Sequence, residues 1–458
     1  MSTTSISNLA GRKPRPISNA AKGVMAGAIL VAIIAFIIGL LGDNPTQAWT
    51  ALLTNYLFFT QLGIIGIVFG VIANLTNAVW SRPMKRIAEG FSYFLPVSLV
   101  LLVVLFFGRY YLWGWMNMQV IIDMIGSSNA DSVRAALEGE AAYMVERGYA
   151  LFLMHDQQLL EGAYLAESKS WWLNEPFFWF RSFFIVIAFN LLAFYYRKTS
   201  LRPDLGAIAE ESGSKLAGWR GLTDEVTASQ RRQVIVAPII AIVYGLFWTI
   251  HTFDMLLSID WTVPNDMFGG WQMSSGLLLM WCMVHLYTTY YRKSAYLDDY
   301  IGRQQYHDLG KLMFGFSIFW TYIMWSQLLP IWYTNMPKET PYLMLRVWYE
   351  PWSTLSFTLA AMIWLIPFIV LMPVKSKLNV GISSAIAVLI MLGLWLERYV
   401  LATASLSPFE IPLGLIEILM TAGFLGAFVL ITTTFINRNP VITLTDPHLK
   451  SSEEQAHH

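Results

Sequence analysis

The sequence has a single cysteine, Cys282, in 458 residues, so neither an internal disulfide nor a cysteine-ligated iron–sulfur cluster can form within it. It also lacks any C-x-x-C-H stretch for covalent haem attachment, so redox chemistry here relies on borrowed or non-covalent cofactors. Charge is scarce: 13% of residues are Asp, Glu, Lys or Arg, against roughly 25% in an average soluble domain. The 30 cationic and 30 anionic residues cancel to a formal net charge of +0, which leaves no footprint for a polyanion and argues against nucleic acid as a partner. There is no low-complexity tract or obvious repeat. What the chain has instead is 56% apolar residues with 19 Trp and 21 Tyr, a composition suited to a polytopic membrane protein whose amphipathic rings collect at the two interfaces.

A bilayer core of about 30 Å needs about 20 mainly apolar helical residues. Ten segments meet that length, at 23–41, 51–75, 91–109, 176–196, 233–257, 268–290, 310–331, 352–373, 379–399 and 411–436, which predicts an all-α membrane domain over 23–436. The first follows Arg12, Lys13, Arg15 and Lys22, has no small-residue cleavage site and is too long for a signal-peptide core, so it reads as retained. Placing segment 1–22 in the cytoplasm puts Arg82, Lys85, Arg86, Arg197, Lys198, Arg202, Arg231, Arg232, Arg292, Lys293, Lys375, Lys377 and Arg438 on that side too. The opposite loops hold few cations, so the positive-inside rule assigns both termini, including the 437–458 tail, to the cytoplasm of a bacterial inner membrane. The largest polar piece, 110–175, then lies outside as an acidic cap carrying Asp123, Asp131, Glu138, Glu140 and Glu146, either a lid or a docking surface. The tail and the 199–230 loop are polar and carry no assigned chemistry.

Ionisable groups in hydrocarbon cost at least about 2.5–3.5 kcal/mol on insertion scales, so they mark pairs or functional positions. In the fifth span His251, Asp254 and Ser258 fall at i, i+3 and i+7 on one helical face, with Asp260 just beyond. An imidazole that exchanges protons near neutral pH beside a carboxylate is what quinol oxidation needs; a His–Asp pair that only cross-links helices is the alternative. His285 lies about 16 Å deeper than His251 along the membrane normal, so one haem cannot bridge them. A lone His285 beside Tyr287 and Tyr290 reads as interfacial. Glu397 and Arg398 read as a local ion pair at the outer surface. Glu417 sits about six residues inside the tenth span without a basic neighbour, and is either protonated or paired across the bundle, with Arg181 and Arg109 as available partners. Gln327 near the end of the seventh span completes the candidate quinone or proton-path positions.

The stretch Ser168-Lys169-Ser170-Trp171-Trp172-Leu173-Asn174-Glu175-Pro176-Phe177-Phe178-Trp179-Phe180-Arg181 resembles an ActF-type membrane subunit of alternative complex III, in the NrfD-like, polysulfide-reductase membrane subunit superfamily. The run from His251 to Asp260 and on to Phe268-Gly269-Gly270, and the runs His307-Asp308-Leu309-Gly310-Lys311 and Ile331 to Thr340, are similar to it as well. The resemblance covers spans four to seven. It implies two four-helix bundles with flanking helices, and a subunit of a quinol:cytochrome c oxidoreductase without its own redox cofactor. The reduced, quinol form of menaquinone or ubiquinone would be the electron donor. A paralogous NrfD-like subunit and periplasmic subunits bearing iron–sulfur clusters and multiple c-type haems would be the partners. The chain departs from the family pattern at Trp261 to Asp266 and at Glu397-Arg398, which implies a proton path or scaffold here and quinol oxidation in the paralogue.

A secondary transporter and a purely structural anchor are the competing readings. Transporter sites are usually built from Gly/Pro-broken helices repeated in two halves, whereas Pro238 and Pro367 are isolated.

Overall fold

The computed structural model describes residues 12–116, 169–214, 216–261, 263–336 and 339–449. Among them there is no strand, and nine helices are long and apolar enough to cross a bilayer, which makes the chain an all-α, multi-pass membrane protein. In chain order the principal helices are α1 (Asn19–Leu41), α2 (Pro45–Leu75), α3 (Val79–Phe107), α4 (Glu175–Glu211), α5 (Leu222–Met255), α6 (Phe268–Ser294), α7 (Arg303–Thr334), α8 (Thr340–Val347), α9 (Trp352–Leu371), α10 (Val380–Thr403) and α11 (Leu415–Arg438). Most of the acidic segment expected between 110 and 175 lies outside the described residues.

Local chemistry sets several helix starts. Ser18 Oγ accepts the Ala21 N–H at 3.1 Å ahead of α1, and Asn174 Oδ1 accepts the Phe177 N–H at 3.0 Å ahead of α4, with Pro176 in the first turn. Asn379 Oδ1 accepts the N–H groups of Gly381 and Ile382 at the start of α10. Within α9 a π turn at Ala361–Leu365 lies against Gly393 of α10, where the missing side chain lets the two backbones approach.

The hub is α2, mainly apolar and buried along nearly its whole length, packed by α1, α3, α5, α6, α10 and α11. The sixth expected span, 268–290, forms as α6 but is too polar to count among the nine. Its neighbours α5, α7, α10 and α2 shelter Gln272, Ser274, Ser275, His285 and Thr288 from lipid, so this helix need not be apolar. It runs antiparallel to α10: Ser275 meets Glu397 near one end, and His285 meets Ser383 and Ser384 near the other.

The helix ends gather at two levels. At the basic end Arg12 pairs with Asp299, Arg82 with Asp446, Arg86 with Asp204 and Arg202 with Glu225. At the opposite end Arg109 pairs with Glu175 at 2.6 Å, Lys169 donates to the Trp261 carbonyl and Trp352 to the Ser407 carbonyl. The segment after α11 is not a free polar tail: Val441, Ile442, Leu444 and Leu449 are buried in a second small core with Ile87, Tyr291 and Ile301. The apolar residues Val441, Ile442 and Leu444 supply the driving force that the polar composition of the rest conceals.

Candidate functional site

A buried polar network lies in the C-terminal half of α10. Glu397 and Arg398 are each 1% exposed, which corrects the expectation of a surface pair. The helix continues to Thr403, a turn beyond the expected end at 399, and the segment after it packs back over the bundle, so both charges fall inside. Successive helical residues point about 100° apart, and the two side chains accordingly reach different neighbours. Glu397 Oε1 accepts the Trp320 indole N–H from α7 at 2.7 Å and the Ser275 hydroxyl from α6 at 3.0 Å, while Oε2 pairs with Arg398. Arg398 donates to the Leu394 carbonyl at 2.8 Å and to Gln61 Oε1 of α2 at 2.5 Å. Gln61 in turn donates to the Gln272 carbonyl at 2.8 Å. Gly276 makes this crossing possible, because a Cβ there would lie 2.0 Å from Gln61 Nε2 and 2.4 Å from the Tyr244 hydroxyl.

Glu397 also lines a narrow pocket between α7, α8, α9 and α10, with a cavity of about 60 Å³ that would have to widen to take a ring. Trp271, Met324, Leu328, Ile331, Leu343 and Leu359 form apolar walls, and Asn265, Gln327 and Arg346 contribute polar groups. Asn265 donates to Gln327 Oε1 at 3.0 Å. Arg346 of α8 stacks on Tyr342 at 3.6 Å and donates to Ser405 at 2.7 Å, and both it and Ser405 reach Asp260. Of the sequence candidates, Gln327 lines this pocket directly and Asp260 holds its Arg346 wall.

The other candidates lie elsewhere. Arg181 clamps Asp254 with two hydrogen bonds, Nη2 to Oδ1 at 2.8 Å and Nε to Oδ2 at 3.0 Å, and stacks on Trp172 and Phe177. His251, one turn away, faces α2 and shares a 2.9 Å hydrogen bond with the Tyr56 hydroxyl. The two residues therefore serve different interfaces of α5. Ser258 donates to the Asp254 backbone carbonyl at 2.5 Å, not to its carboxylate.

Glu417 is not deep in an apolar helix, because α11 begins at Leu415 and places it in the first turn. Its Oε2 accepts the Gly414 N–H at 2.8 Å and the Gln47 amide at 3.2 Å, so it caps α11 and ties it to α2. Neither Arg181 nor Arg109 pairs with it; they bind Asp254 and Glu175. His285 is fully buried, with Nε2 shared between Ser383 and Ser384, which corrects its interfacial reading.

Sequence reasoning passed over Glu397, Arg398, Gln61, Asn265 and Arg346 as site residues. The available signal was the pair of amides Asn55 and Gln61 within a mainly apolar span. Among the described residues no group of three or more His, Cys, Asp or Glu side chains is arranged to hold a metal ion. In comparison with known proteins, no protein-family model matches the chain, and none of the curated proteins matches it.

Proposed function

We propose that the chain is an integral membrane subunit of a respiratory quinol-oxidising complex of the alternative complex III type, and that the pocket closed by Glu397 takes the quinol ring. The basic end then faces the cytoplasm of a bacterial inner membrane, by the distribution of Lys and Arg. One observation carries this reading: an apolar-walled pocket between membrane helices ends on a buried carboxylate already oriented by Trp320, Ser275 and Arg398.

A quinol has a flat apolar ring, a greasy tail and two hydroxyls that each lose a proton as two electrons leave. Trp271, Met324 and Ile331 suit the ring and tail, Gln327 and Asn265 offer amide hydrogen bonds, and Glu397 accepts a proton at the buried end. Glu339, which also lines the pocket, takes the second. The electrons pass to iron–sulfur clusters and c-type haems of partner subunits, since a single cysteine cannot ligate such centres here.

Photolabelling with an azido-quinone in the gently solubilised complex tests this. Label on α7, α8 and α10 near Gln327, Leu343 and Val400, in material that co-purifies with haem and iron–sulfur proteins, is the expected result. A chain that purifies alone and takes label at random lipid-facing positions would put the transporter or anchor reading ahead.

A further inference from the structure

A second pocket, with a cavity of about 150 Å³, lies at the basic end between α2, α3, α4, α5 and the segment after α11. It is separate from the Glu397 site and plays no part in the quinol reading. Two cations on consecutive turns line it, Arg82 and Lys85, and both are almost fully buried.

An ammonium has three N–H donors, yet among the described residues Lys85 Nζ has one hydrogen-bond acceptor, Gln233 Oε1 at 2.5 Å. Arg82 uses Nη1 on Asn74 and Asp446 and Nη2 on the Ala73 carbonyl, but its Nε is buried without a partner. The carboxylates at the pocket do not make up the shortfall. Asp204 is held by Arg86 at 2.6 Å and by the N–H and hydroxyl of Thr445, and Asp446 Oδ1 accepts the His448 N–H. Glu89, the remaining carboxylate near Lys85, is engaged by Arg86 and Ser200. The formal charges of the lining balance, Arg82 and Lys85 against Asp204 and Asp446, but the carboxylates are already engaged while the two cations keep spare buried donors.

We infer that this pocket binds a phosphate group, with Lys85 and Arg82 donating to its oxygens. Phosphate supplies negative charge and several acceptor oxygens at once, which is the complement of a surplus of buried donors on two cations. The same chemistry comes from a phospholipid headgroup or from free phosphate. The lipid source has a path: Val234 on the rim is exposed and continues into exposed Ile235, Ile239 and Ile242 along α5, an apolar track for an acyl chain.

The full-length chain exchanged into a phosphate-free maltoside detergent tests this, with Lys85→Gln removing one cation and Gln230→Glu placing a negative charge on the partly exposed pocket lining without touching the core. Native mass spectrometry asks whether a phospholipid survives exchange, and titration with inorganic phosphate asks whether the stripped chain binds the free ion. Retained phospholipid lost in both variants supports the headgroup. Saturable binding of inorganic phosphate that weakens about tenfold or more in both, as expected for one charge-assisted contact, supports the free ion. Folding of Gln230→Glu, checked by helical circular dichroism, keeps the test valid if Lys85→Gln is unstable. A wild-type chain that carries no phospholipid and binds no phosphate overturns the proposal, as does binding that is unchanged in a folded Gln230→Glu variant.

Discussion

Gln61 of α2 and Arg398 of α10 meet at 2.5 Å in the fully buried centre of the bundle, so the guanidinium is held from the hub helix while its carboxylate partner is held from α6 and α7. Four helices therefore converge on one ion pair. Such a pair adds little net stability over an apolar substitute, because desolvation offsets attraction, but removing one partner strands a buried charge.

The effects of single and double replacement should consequently not add. Arg398→Met and Glu397→Gln should each destabilise the solubilised protein by about 3–5 kcal/mol, and the double variant should recover most of that loss. Thermal or denaturant unfolding in detergent measures it. Additive losses would mean that the two residues do not act as a pair.

The same double variant separates structure from chemistry. Its pocket keeps the apolar walls and an Oε1 acceptor for Trp320 and Ser275, but the amide that replaces the Glu397 carboxylate cannot take a proton. Quinol-analogue binding should persist while turnover falls about 10²–10⁴-fold, the usual contribution of a positioned proton acceptor. Turnover retained at near wild-type level would remove Glu397 from the reaction.

The membrane class and nearly all the helices were legible in the sequence, because long apolar segments are a one-dimensional signal. What escaped depended on three-dimensional neighbours. Glu397 and Arg398 looked superficial because the helix end was placed at 399, whereas α10 runs to Thr403 and the chain beyond it folds over the pair. Glu417 looked deep for the opposite reason, since α11 starts four residues later than the apolar pattern does. His251 and Asp254 share a helical stripe, yet a stripe wide enough to touch two helices gave one residue to Tyr56 and the other to Arg181. Arg346 lies on the short helix α8, outside the spans where intramembrane charge draws notice.

The Arg181–Asp254 clamp has both carboxylate oxygens engaged and its guanidinium stacked on Trp172 and Phe177, the arrangement of a cross-link between α4 and α5. Asp254→Asn should destabilise the protein by about 3–5 kcal/mol through the stranded guanidinium. Turnover per folded molecule should stay at the wild-type level, measured as activity normalised to folded protein by size-exclusion chromatography. Loss of turnover at undiminished stability would move this pair from the scaffold into the proton chemistry.

Gly276 tests the network from its least conspicuous member. The residue carries no functional group, and its backbone is ordinary helix, so only the space above it matters. An added methyl would lie 2.0 Å from Gln61 Nε2 and 2.4 Å from the Tyr244 hydroxyl, closer than side chains approach, and the Gln61 amide is the nearer of the two. Gly276→Ala should therefore push Gln61 off both the Gln272 carbonyl and Arg398, at a cost of about 1–3 kcal/mol for overpacking. Arg398 then loses its tie to α2 and the Glu397 carboxylate is left less firmly placed, so turnover should fall while quinol-analogue affinity, set mainly by walls on α7, α8, α9 and α10 with Trp271 alone from α6, changes little. Pairing the change with Gln61→Ala removes the clash, and the double variant should be more stable than Gly276→Ala alone. A Gly276→Ala protein with wild-type stability and turnover would show that the crossing of α2 and α6 tolerates a wider separation than the structure has, and that Gln61 does not position the pair.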